Sequence, residues 1–325
     1  MKNFIFYLLI FYKLLFLSSC EFLIHRRPSP KPIQKVNFSS KFKSMNPSGK
    51  LQFIVLGDWG EKGNFFQKQV AKSMKEFMLK EKIDFILTAG DNFYQDGVSD
   101  YNDNHFKNSF EDIYPFAQSI PWFITLGNHD YMGDIQSLLN YSEKNSSWII
   151  PSPYYAFEFF SKRKVLFLIS DTNEFVRMLG FSYRSYMNEE SRIAQINWMN
   201  EKLKGEDFIW KIVIGHHPIY SAGDHGDTKS LQGKFLETLE TNQVDFYISG
   251  HDHDLQYLKN PNRKLHFLIS GAGSKVREMH SSPYSIFAAA EPGFVVITLK
   301  ENKSNIRFIN DKGKEIFNKS IEKQL

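Results

Sequence analysis

The sequence predicts a domain of the α/β class, in which sheets and helices pack in layers. Short runs of apolar and β-branched residues recur along the chain, and stretches with apolar residues at helical spacing lie between them. Several runs are apolar on both faces, which is typical of strands buried between two layers. The predicted strands are Leu51–Leu56, Ile83–Thr88, Trp122–Leu126, Val165–Ile169, Lys211–Ile214, Val244–Ile248, Leu265–Ile269 and Phe294–Leu299.

Three helical stretches separate some of these strands, and we expect their apolar stripes to face the core. The stripes consist of Phe66, Val70, Met74, Phe77 and Met78; of Ile193, Ile196, Met199 and Leu203; and of Leu231, Phe235, Leu236 and Leu239. Because stripes of this kind usually pack against a sheet, they are assigned no chemistry.

The composition is that of a folded protein and excludes several classes of function. The chain has 325 residues, of which 42% are hydrophobic and 23% are charged, close to the averages of globular proteins. Its formal net charge is +4 without a basic block, which gives no electrostatic reason to expect nucleic-acid binding. A single cysteine excludes an internal disulfide and a cysteine-based zinc site. Any metal must therefore bind to oxygen and imidazole ligands.

The N-terminal residues have the pattern of an export signal. Met1–Leu17 joins a lysine-bearing start to an apolar run, and two serines and Cys20 follow it, which predicts a signal peptide over residues 1–19. The alternative is an uncleaved anchor helix, but Lys13 leaves the run short for a full membrane span. Leu-Ser-Ser-Cys also resembles a bacterial lipobox, so we expect an exported lipoprotein, attached through lipidated Cys20 in the periplasm or at the cell surface.

The next residues predict a flexible connection to the folded body. Residues 20–50 contain four prolines, several serines and lysines, and little apolar periodicity, as in an extended, solvated tether. The folded domain is therefore predicted over 51–325, with its core in 51–300.

Five predicted strands end at a glycine that is followed by aspartate, asparagine or histidine. The five segments are GDWG at 57–60, GDNFY at 90–94, GNHD at 127–130, GHHP at 215–218 and GHDH at 250–253. A single Gly-Asp-x-Gly is usually only a turn after a strand. Five such segments indicate a common site, because the carboxyl ends of strands form the ligand crevice of open α/β sheets and glycine turns there without a Cβ clash.

The side chains expected to converge suit a pair of metal ions. The candidate ligands are Asp58, Asp91, Tyr94, Asn128, His216, His251 and His253. They are too many for one tetrahedral ion, and a carboxylate that bridges two ions accommodates them. Oxygen and imidazole ligands without thiolate suit Mn, Fe or Zn, and two ions about 3.5–4 Å apart can bind a phosphate group between them. The phenolate of Tyr94 favours ferric iron.

Three further histidines are expected to play other parts. His217 follows a candidate ligand and precedes a proline, and we expect it to pack beside the ligands rather than bind metal. His105 and His280 have no motif around them and are expected to be surface or hydrogen-bonded histidines.

The five segments resemble the five-motif signature of purple acid phosphatases, within the calcineurin-like metallophosphoesterase superfamily. The similarity is greatest to the small, tartrate-resistant type and runs from about Leu51 to about Leu299. The resemblance implies a four-layer α/β/β/α sandwich of two mixed sheets, with a dinuclear centre at one sheet edge.

The resemblance also implies a role for each candidate residue. Fe(III) would be bound by Asp58, Asp91, Tyr94 and His253. A divalent ion (Fe, Zn or Mn) would be bound by Asp91, Asn128, His216 and His251. His129 and His225 would lie beside the substrate as catalytic residues, positioning phosphate and assisting protonation of the leaving group. Two features depart from the mammalian members: Asp224 replaces their usual glutamate, and the single cysteine excludes their disulfide.

The leading functional interpretation is a phosphomonoesterase of the acid phosphatase kind. It implies a phosphate monoester as substrate, attack by metal-bound hydroxide and release of inorganic phosphate, and we expect the chain to act as a monomer without nucleic acid. The alternative is a Mn- or Zn-dependent phosphodiesterase or nucleotidase, whose first motif generally reads Asp-x-His and whose second lacks the tyrosine. A non-catalytic secreted surface or scaffold protein would have lost ligands, and none of the seven candidates is missing.

Overall fold

The computed structural model describes residues 49–160, 164–176, 189–205 and 207–324, all within one compact unit over 32–325. The predicted signal peptide, Cys20 and nearly all of the predicted tether lie outside the described residues.

The described residues contain fourteen strands in two seven-stranded sheets. In chain order they are β1 (Lys50–Leu56), β2 (Phe85–Thr88), β3 (Trp122–Phe123), β4 (Trp148–Ile149), β5 (Tyr155–Phe160), β6 (Lys164–Ile169), β7 (Phe208–Ile214), β8 (Phe246–Ser249), β9 (Leu255–Lys259), β10 (His266–Ser270), β11 (Ser285–Ala289), β12 (Gly293–Lys300), β13 (Lys303–Asn310) and β14 (Glu315–Glu322). The first sheet has the order β14-β13-β12-β1-β2-β3-β4, and the second has the order β11-β9-β10-β8-β7-β6-β5.

Both sheets are mixed, as expected. In the first sheet β1 to β4 run parallel, with Phe53 opposite Phe85, whereas β12 to β14 are antiparallel additions beside β1. In the second sheet β6, β7, β8 and β10 are parallel, and β5, β9 and β11 are antiparallel to their neighbours. The parallel strands direct their carboxyl ends to the same edge of each sheet.

The helices cover the outer faces of the sheets. They are α1 (Gln67–Met78), α2 (Ile135–Asn140), α3 (Glu189–Leu203) and α4 (Lys234–Thr241), with a π-helical turn at Phe106–Glu111 and 3₁₀ turns at Pro115–Ala117, Asp130–Met132, Tyr141–Glu143, Thr172–Glu174 and Lys229–Leu231. Val70 of α1 packs in the core of the first sheet, and Met199 of α3 packs with Val213 of the second. The four-layer α/β/β/α sandwich is therefore confirmed.

Phenylalanines fill the space between the two sheets. The Phe53 ring of β1 lies 5.3 Å from Phe167 of β6, and Phe123 of β3 stacks on Phe157 of β5 at 3.8 Å. All four are buried. Because aromatic pairs add stabilisation beyond their buried area, this contact fixes how the two strand-end edges face each other.

The predicted strands are all present, but all three apolar stripes differ from expectation. In the first stripe Phe66 precedes α1 and is 38% exposed, so its inclusion was wrong. Ile196, Met199 and Leu203 are buried, whereas Ile193 is 52% exposed. At 100° per residue Ile193 lies about 90° from the centre of the buried stripe, so its inclusion was wrong. Leu231 is buried in a separate 3₁₀ turn rather than in α4.

The sheet also continues beyond residue 300, where the predicted core ended. Ile306 and Phe308 of β13 are buried, and β14 forms the edge. Among the described residues no helix is both long enough and apolar enough to cross a membrane.

The two isoleucines of α3 form a matched pair for a stability measurement. Ile196→Ala should lower the free energy of unfolding by about 2–4 kcal/mol, because it leaves a cavity in the core. Ile193→Ala removes the same atoms from an exposed position and should change the free energy by no more than about 0.5 kcal/mol. Urea unfolding of both variants measures the difference, and equal losses would contradict the assigned helix face.

Candidate metal centre

The five predicted segments meet where the carboxyl ends of the two sheets face each other. Asp58 follows β1, Asp91 follows β2 and Asn128 follows β3, while the histidines follow β7 and β8 of the second sheet. Backbone hydrogen bonds join the segments: Asp58 N donates to Gly90 O at 3.0 Å and Gly250 N to His216 O at 3.0 Å. The expected convergence of the side chains is thus present.

Close packing explains two of the segment glycines. A Cβ at Gly127 would lie 2.1 Å from Asp91 Oδ1, and a Cβ at Gly250 would lie 2.3 Å from Asp58 Oδ2. These distances are far below van der Waals contact, so a side chain at either position would displace a carboxylate.

Three candidate ligands have positive φ angles. The values are +57° at Asp58, +49° at Asp91 and +70° at His251. Non-glycine residues adopt this region uncommonly, and such backbone strain clusters at functional sites. The strain directs both carboxylates inward from the strand ends.

One group of donors surrounds the Tyr94 hydroxyl. It lies 2.9 Å from Asp58 Oδ1 and 2.9 Å from Asp91 Oδ2. It also lies 3.1 Å from His253 Nε2. All four side chains are buried, and they are the four residues expected to bind Fe(III).

A second group surrounds His216 Nε2. This atom lies 2.9 Å from Asn128 Oδ1 and 3.2 Å from His251 Nδ1. It also lies 3.4 Å from Asp91 Oδ2. The same carboxylate oxygen of Asp91 therefore belongs to both groups, which is the position expected of a bridging ligand.

Neighbouring backbone atoms orient these candidate ligands. His216 Nδ1 lies 2.9 Å from the carbonyl oxygen of Ala89, to which it donates, so Nε2 is the nitrogen that faces Asp91. His251 N donates to Asp58 Oδ2 at 2.9 Å. His253 Nδ1 has no hydrogen-bond partner among the described residues.

The electrostatics of the cluster favour a cation. Burial and the two carboxylates raise the pKa of the Tyr94 phenol well above its usual range, and burial raises the pKa of Asp58. Burial opposes protonation of His216, but the charge of Asp91 outweighs it and raises the pKa of His216 to about 9. Anionic ligands buried this deeply need a compensating positive charge. The donor set of oxygen and imidazole atoms fits the expected pair of hard or borderline ions.

His129 and His225 lie beside the ligands, on either side of the cluster. His129 N donates to Asp91 Oδ1 at 2.8 Å, and its ring lies 4.4 Å from that of Tyr94. The His225 ring stacks on His251 at 4.3 Å, and its Nε2 contacts the guanidinium of Arg277. His129 Nε2 lies 4.0 Å from Asp91 Oδ2, farther than the Tyr94 hydroxyl or His216 Nε2.

Asp224, which departs from the mammalian pattern, faces outward. Its carboxylate lies 3.7 Å from Arg277 and 4.0 Å from His280. Asp252 instead fixes the His225 backbone, since its Oδ1 accepts from His225 N at 2.8 Å.

The three histidines that were expected to play other parts differ in their surroundings. His217 is buried with its Nδ1 2.9 Å from Thr172 Oγ1, and its ring lies 4.6 Å from His251. His105 is buried between two backbone carbonyls, those of Gly60 and Gly97. The His280 side chain is 62% exposed. A ring nitrogen of His217 lies close to ring nitrogens of His216 and His251, in an arrangement that could also hold a metal ion. The packing role of His217 therefore remains a prediction.

Asp130 and Asp252 were assigned no role from the sequence, although both lie inside the motifs. Asp130 accepts from Asn92 N at 3.0 Å and from Gly127 N at 2.8 Å, and burial raises its pKa to about 7. Asp252 supports the opposite side as described above. The one sequence feature that could have indicated their role is their position next to candidate ligands in the motifs.

The match to known families agrees with this geometry. The model of the calcineurin-like phosphoesterase family matches residues 51–255. "Purple acid phosphatase 7" of Arabidopsis thaliana is 34% identical over 293 residues, which cover 85% of this chain and 87% of that protein. "Tartrate-resistant acid phosphatase type 5" of Rattus norvegicus is 31% identical over 307 residues, 86% of this chain and 92% of that one.

Solved structures show the same architecture. The structure titled "GAP50 the anchor in the inner membrane complex of Plasmodium" superposes with a TM-score of 0.76 at 27% identity, over 85% of this chain and 90% of that chain. The purple acid phosphatase PPD1 from yellow lupin superposes at 0.63 and 16% identity, over 84% of this chain and 54% of that chain, which supports the fold alone.

The chain thus belongs to the calcineurin-like phosphoesterase family. Within that family its relatives over most of its length are acid phosphatases, and the predicted resemblance to purple acid phosphatases is confirmed. It is a hydrolase of the dinuclear-metal phosphomonoesterase kind.

Proposed function

We propose that this chain hydrolyses phosphate monoesters at the two donor groups joined by Asp91. The observation that supports this proposal most directly is that Asp91 Oδ2 lies 2.9 Å from the Tyr94 hydroxyl and 3.4 Å from His216 Nε2. Fe(III) would be held by Asp58, Asp91, Tyr94 and His253, and a divalent Fe, Zn or Mn ion by Asp91, Asn128, His216 and His251. When bound, the ions supply a nucleophile at moderate pH and neutralise phosphate oxygens.

His129 is proposed to deliver the proton to the leaving group. Its Nδ1 contacts the carbonyl oxygen of Gln95 and must donate to it. Nε2 is consequently the atom that can take up and release a proton, and it lies 4.0 Å from Asp91 Oδ2. Since the side chain is 23% exposed, a substrate can reach it.

His225 is proposed to position the phosphate. Its Nε2 accepts from Arg277, so Nδ1 is the nitrogen that donates a hydrogen bond. Arg277 is in turn held by its backbone N, which donates to His253 O at 3.1 Å. Together, His225 and Arg277 offer hydrogen-bond donors and a positive charge at the rim of the site, where an anionic substrate would enter.

The alternative functions receive less support. The first motif offers a single ligand, because Gly60 stands where Asp-x-His places its histidine, and a Cβ at Gly60 would lie 1.7 Å from Asn92 O. Together with Tyr94 in the donor group, this opposes the phosphodiesterase or nucleotidase reading. A scaffold without catalysis is opposed by the convergence of all seven ligands. Every proposed site residue comes from one chain, so a monomer is sufficient for the proposed reaction. Inorganic phosphate would be the product, and no nucleic acid would take part.

We also propose that the chain is exported and anchored. Residues 1–19 would be a cleaved signal, 20–50 a tether from lipidated Cys20, and 51–325 the catalytic domain. The support is the Leu-Ser-Ser-Cys pattern and the position of the only cysteine.

Removal of a ligand and removal of a proton donor should have different effects. His251→Ala should lose an ion and activity together. His129→Ala should keep two ions per chain and lose about 10²–10⁴-fold in rate, most strongly with poor leaving groups. Metal analysis and steady-state kinetics measure both. His280→Ala serves as the imidazole control, because its side chain is 62% exposed, and it should keep both ions. Loss of metal from His129→Ala would refute its role.

The proposed iron site should be visible in the colour of the protein. A phenolate bound to ferric iron absorbs broadly in the visible range, so the purified protein should be violet or pink. Tyr94→Phe should bleach this absorption while keeping some activity, because Asp91 still joins both donor groups. Visible spectra and iron analysis test this. A colourless, iron-free and fully active wild type would instead support the phosphodiesterase or nucleotidase reading.

The anchor depends on one side chain. Cys20→Ala should move the protein from the membrane fraction to the soluble fraction, or leave an unprocessed precursor, because several acyl chains on one cysteine give stable attachment. Fractionation and N-terminal sequencing measure this. A soluble wild type that begins at another residue would refute the lipoprotein proposal.

A further inference from the structure

An exposed phenylalanine stands beside the proposed centre. The Phe65 side chain is 59% exposed, and its backbone has a φ of +50°. Isolated exposed apolar residues are common. A bulky residue at positive φ is an outlier, however, because this backbone conformation is strained for it. Phe65 therefore has both an exposed side chain and a strained backbone conformation.

The segment 274–277 fixes Phe65 relative to the metal ligands. Ser274 Oγ donates to Asp58 O at 2.5 Å, and Arg277 N donates to His253 O at 3.1 Å. Phe66 N in turn donates to Ser274 O at 2.8 Å. Residues 65 and 66 are thus tied to the loops that present Asp58 and His253.

Lys275, inside that segment, links Phe65 to the centre. Its Nζ lies 4.2 Å from the centroid of the Phe65 ring and 5.2 Å from that of Tyr94, which is within the range of cation–π attraction. The ammonium also pairs with the carboxylate of Glu61. Because this pair neutralises the charge of Lys275, the surface around Phe65 is suited to an uncharged planar group rather than to a second anion.

We propose that Phe65 binds a planar aromatic ring in the leaving group of the substrate. The inference rests on the proposed phosphomonoesterase function and specifies its substrate class: esters in which the phosphate lies at the two donor groups and an aromatic ring stacks on Phe65. Aromatic rings prefer offset or edge-on stacking on one another, and a base on an aromatic side chain gains binding energy in the same way. Nucleoside monophosphates and aryl phosphates share this chemistry.

A pair of substrates with the same leaving oxygen isolates the ring. Adenosine 5′-monophosphate and ribose 5-phosphate both leave through a primary alcohol, and only the first has a base. The ratio of their kcat/KM values should fall about tenfold in Phe65→Ala, mainly through KM. Phe65→Tyr keeps a ring and should retain the ratio. Phenyl phosphate, compared with ribose 5-phosphate in the same variants, tests the aryl source separately.

Two further variants exclude indirect effects. Phe65→Gly removes the ring while suiting the positive φ, so a fall in its ratio cannot come from added strain. Leu79→Ala removes a side chain that is 78% exposed, about 18 Å further along α1, and should leave the ratio unchanged.

The outcomes separate the two proposals. Wild type that releases phosphate from none of the three esters refutes the proposed function. Wild type that hydrolyses ribose 5-phosphate, with both ratios unchanged in Phe65→Ala and Phe65→Gly, refutes the role of Phe65 alone. A fall in either ratio supports it and identifies whether the base or the aryl ring is the group that stacks.

Discussion

The position of Asp91 between the two donor groups is the constraint on which the rest of the site depends. Its Oδ2 lies within 3.4 Å of donors from both sheets, while its Oδ1 accepts from His129 N. A buried carboxylate with this many partners is stable only when positive charge or hydrogen-bond donors surround it. Asp91 therefore dictates the order of the neighbouring groups: the Tyr94 phenol and the His253 imidazole on one side, an amide and two imidazoles on the other, and His129 beside Oδ1.

The two aromatic clusters hold this arrangement in place. Phe53, Phe123, Phe157 and Phe167 set the two sheets against each other, so that strand ends from both sheets reach one edge. Around Trp59 a second cluster includes Phe93, Phe110, Tyr114, Trp122 and Trp148. It packs directly beneath the loops that present Asp58 and Asp91. Ligand geometry in this fold is thus a consequence of core packing.

The strand ends and the seven candidate ligands were predictable because each depends on local sequence: an apolar run, a glycine, then a polar side chain. Ile193 was misassigned because spacing alone does not set the centre of a buried stripe. The contacts of Phe65 with Lys275 had no local signal, since they join residues far apart in the chain through a backbone bond from Phe66 to Ser274. The roles of Asp130 and Asp252 likewise depend on tertiary hydrogen bonds.

The place of β1 in the first sheet has a consequence for biosynthesis. β1 lies between β2 and β12, and its partner Val295 stands near the opposite end of the chain from Val55. During translation one side of β1 keeps its N–H and C=O groups unpaired until Gly293–Lys300 has emerged. An apolar strand with an open edge is a template for aggregation. Nascent chains of this protein consequently need protection of β1 until β12 has been made, and the Asp91 carboxylate gains its contact with His216 only once β7 has been made.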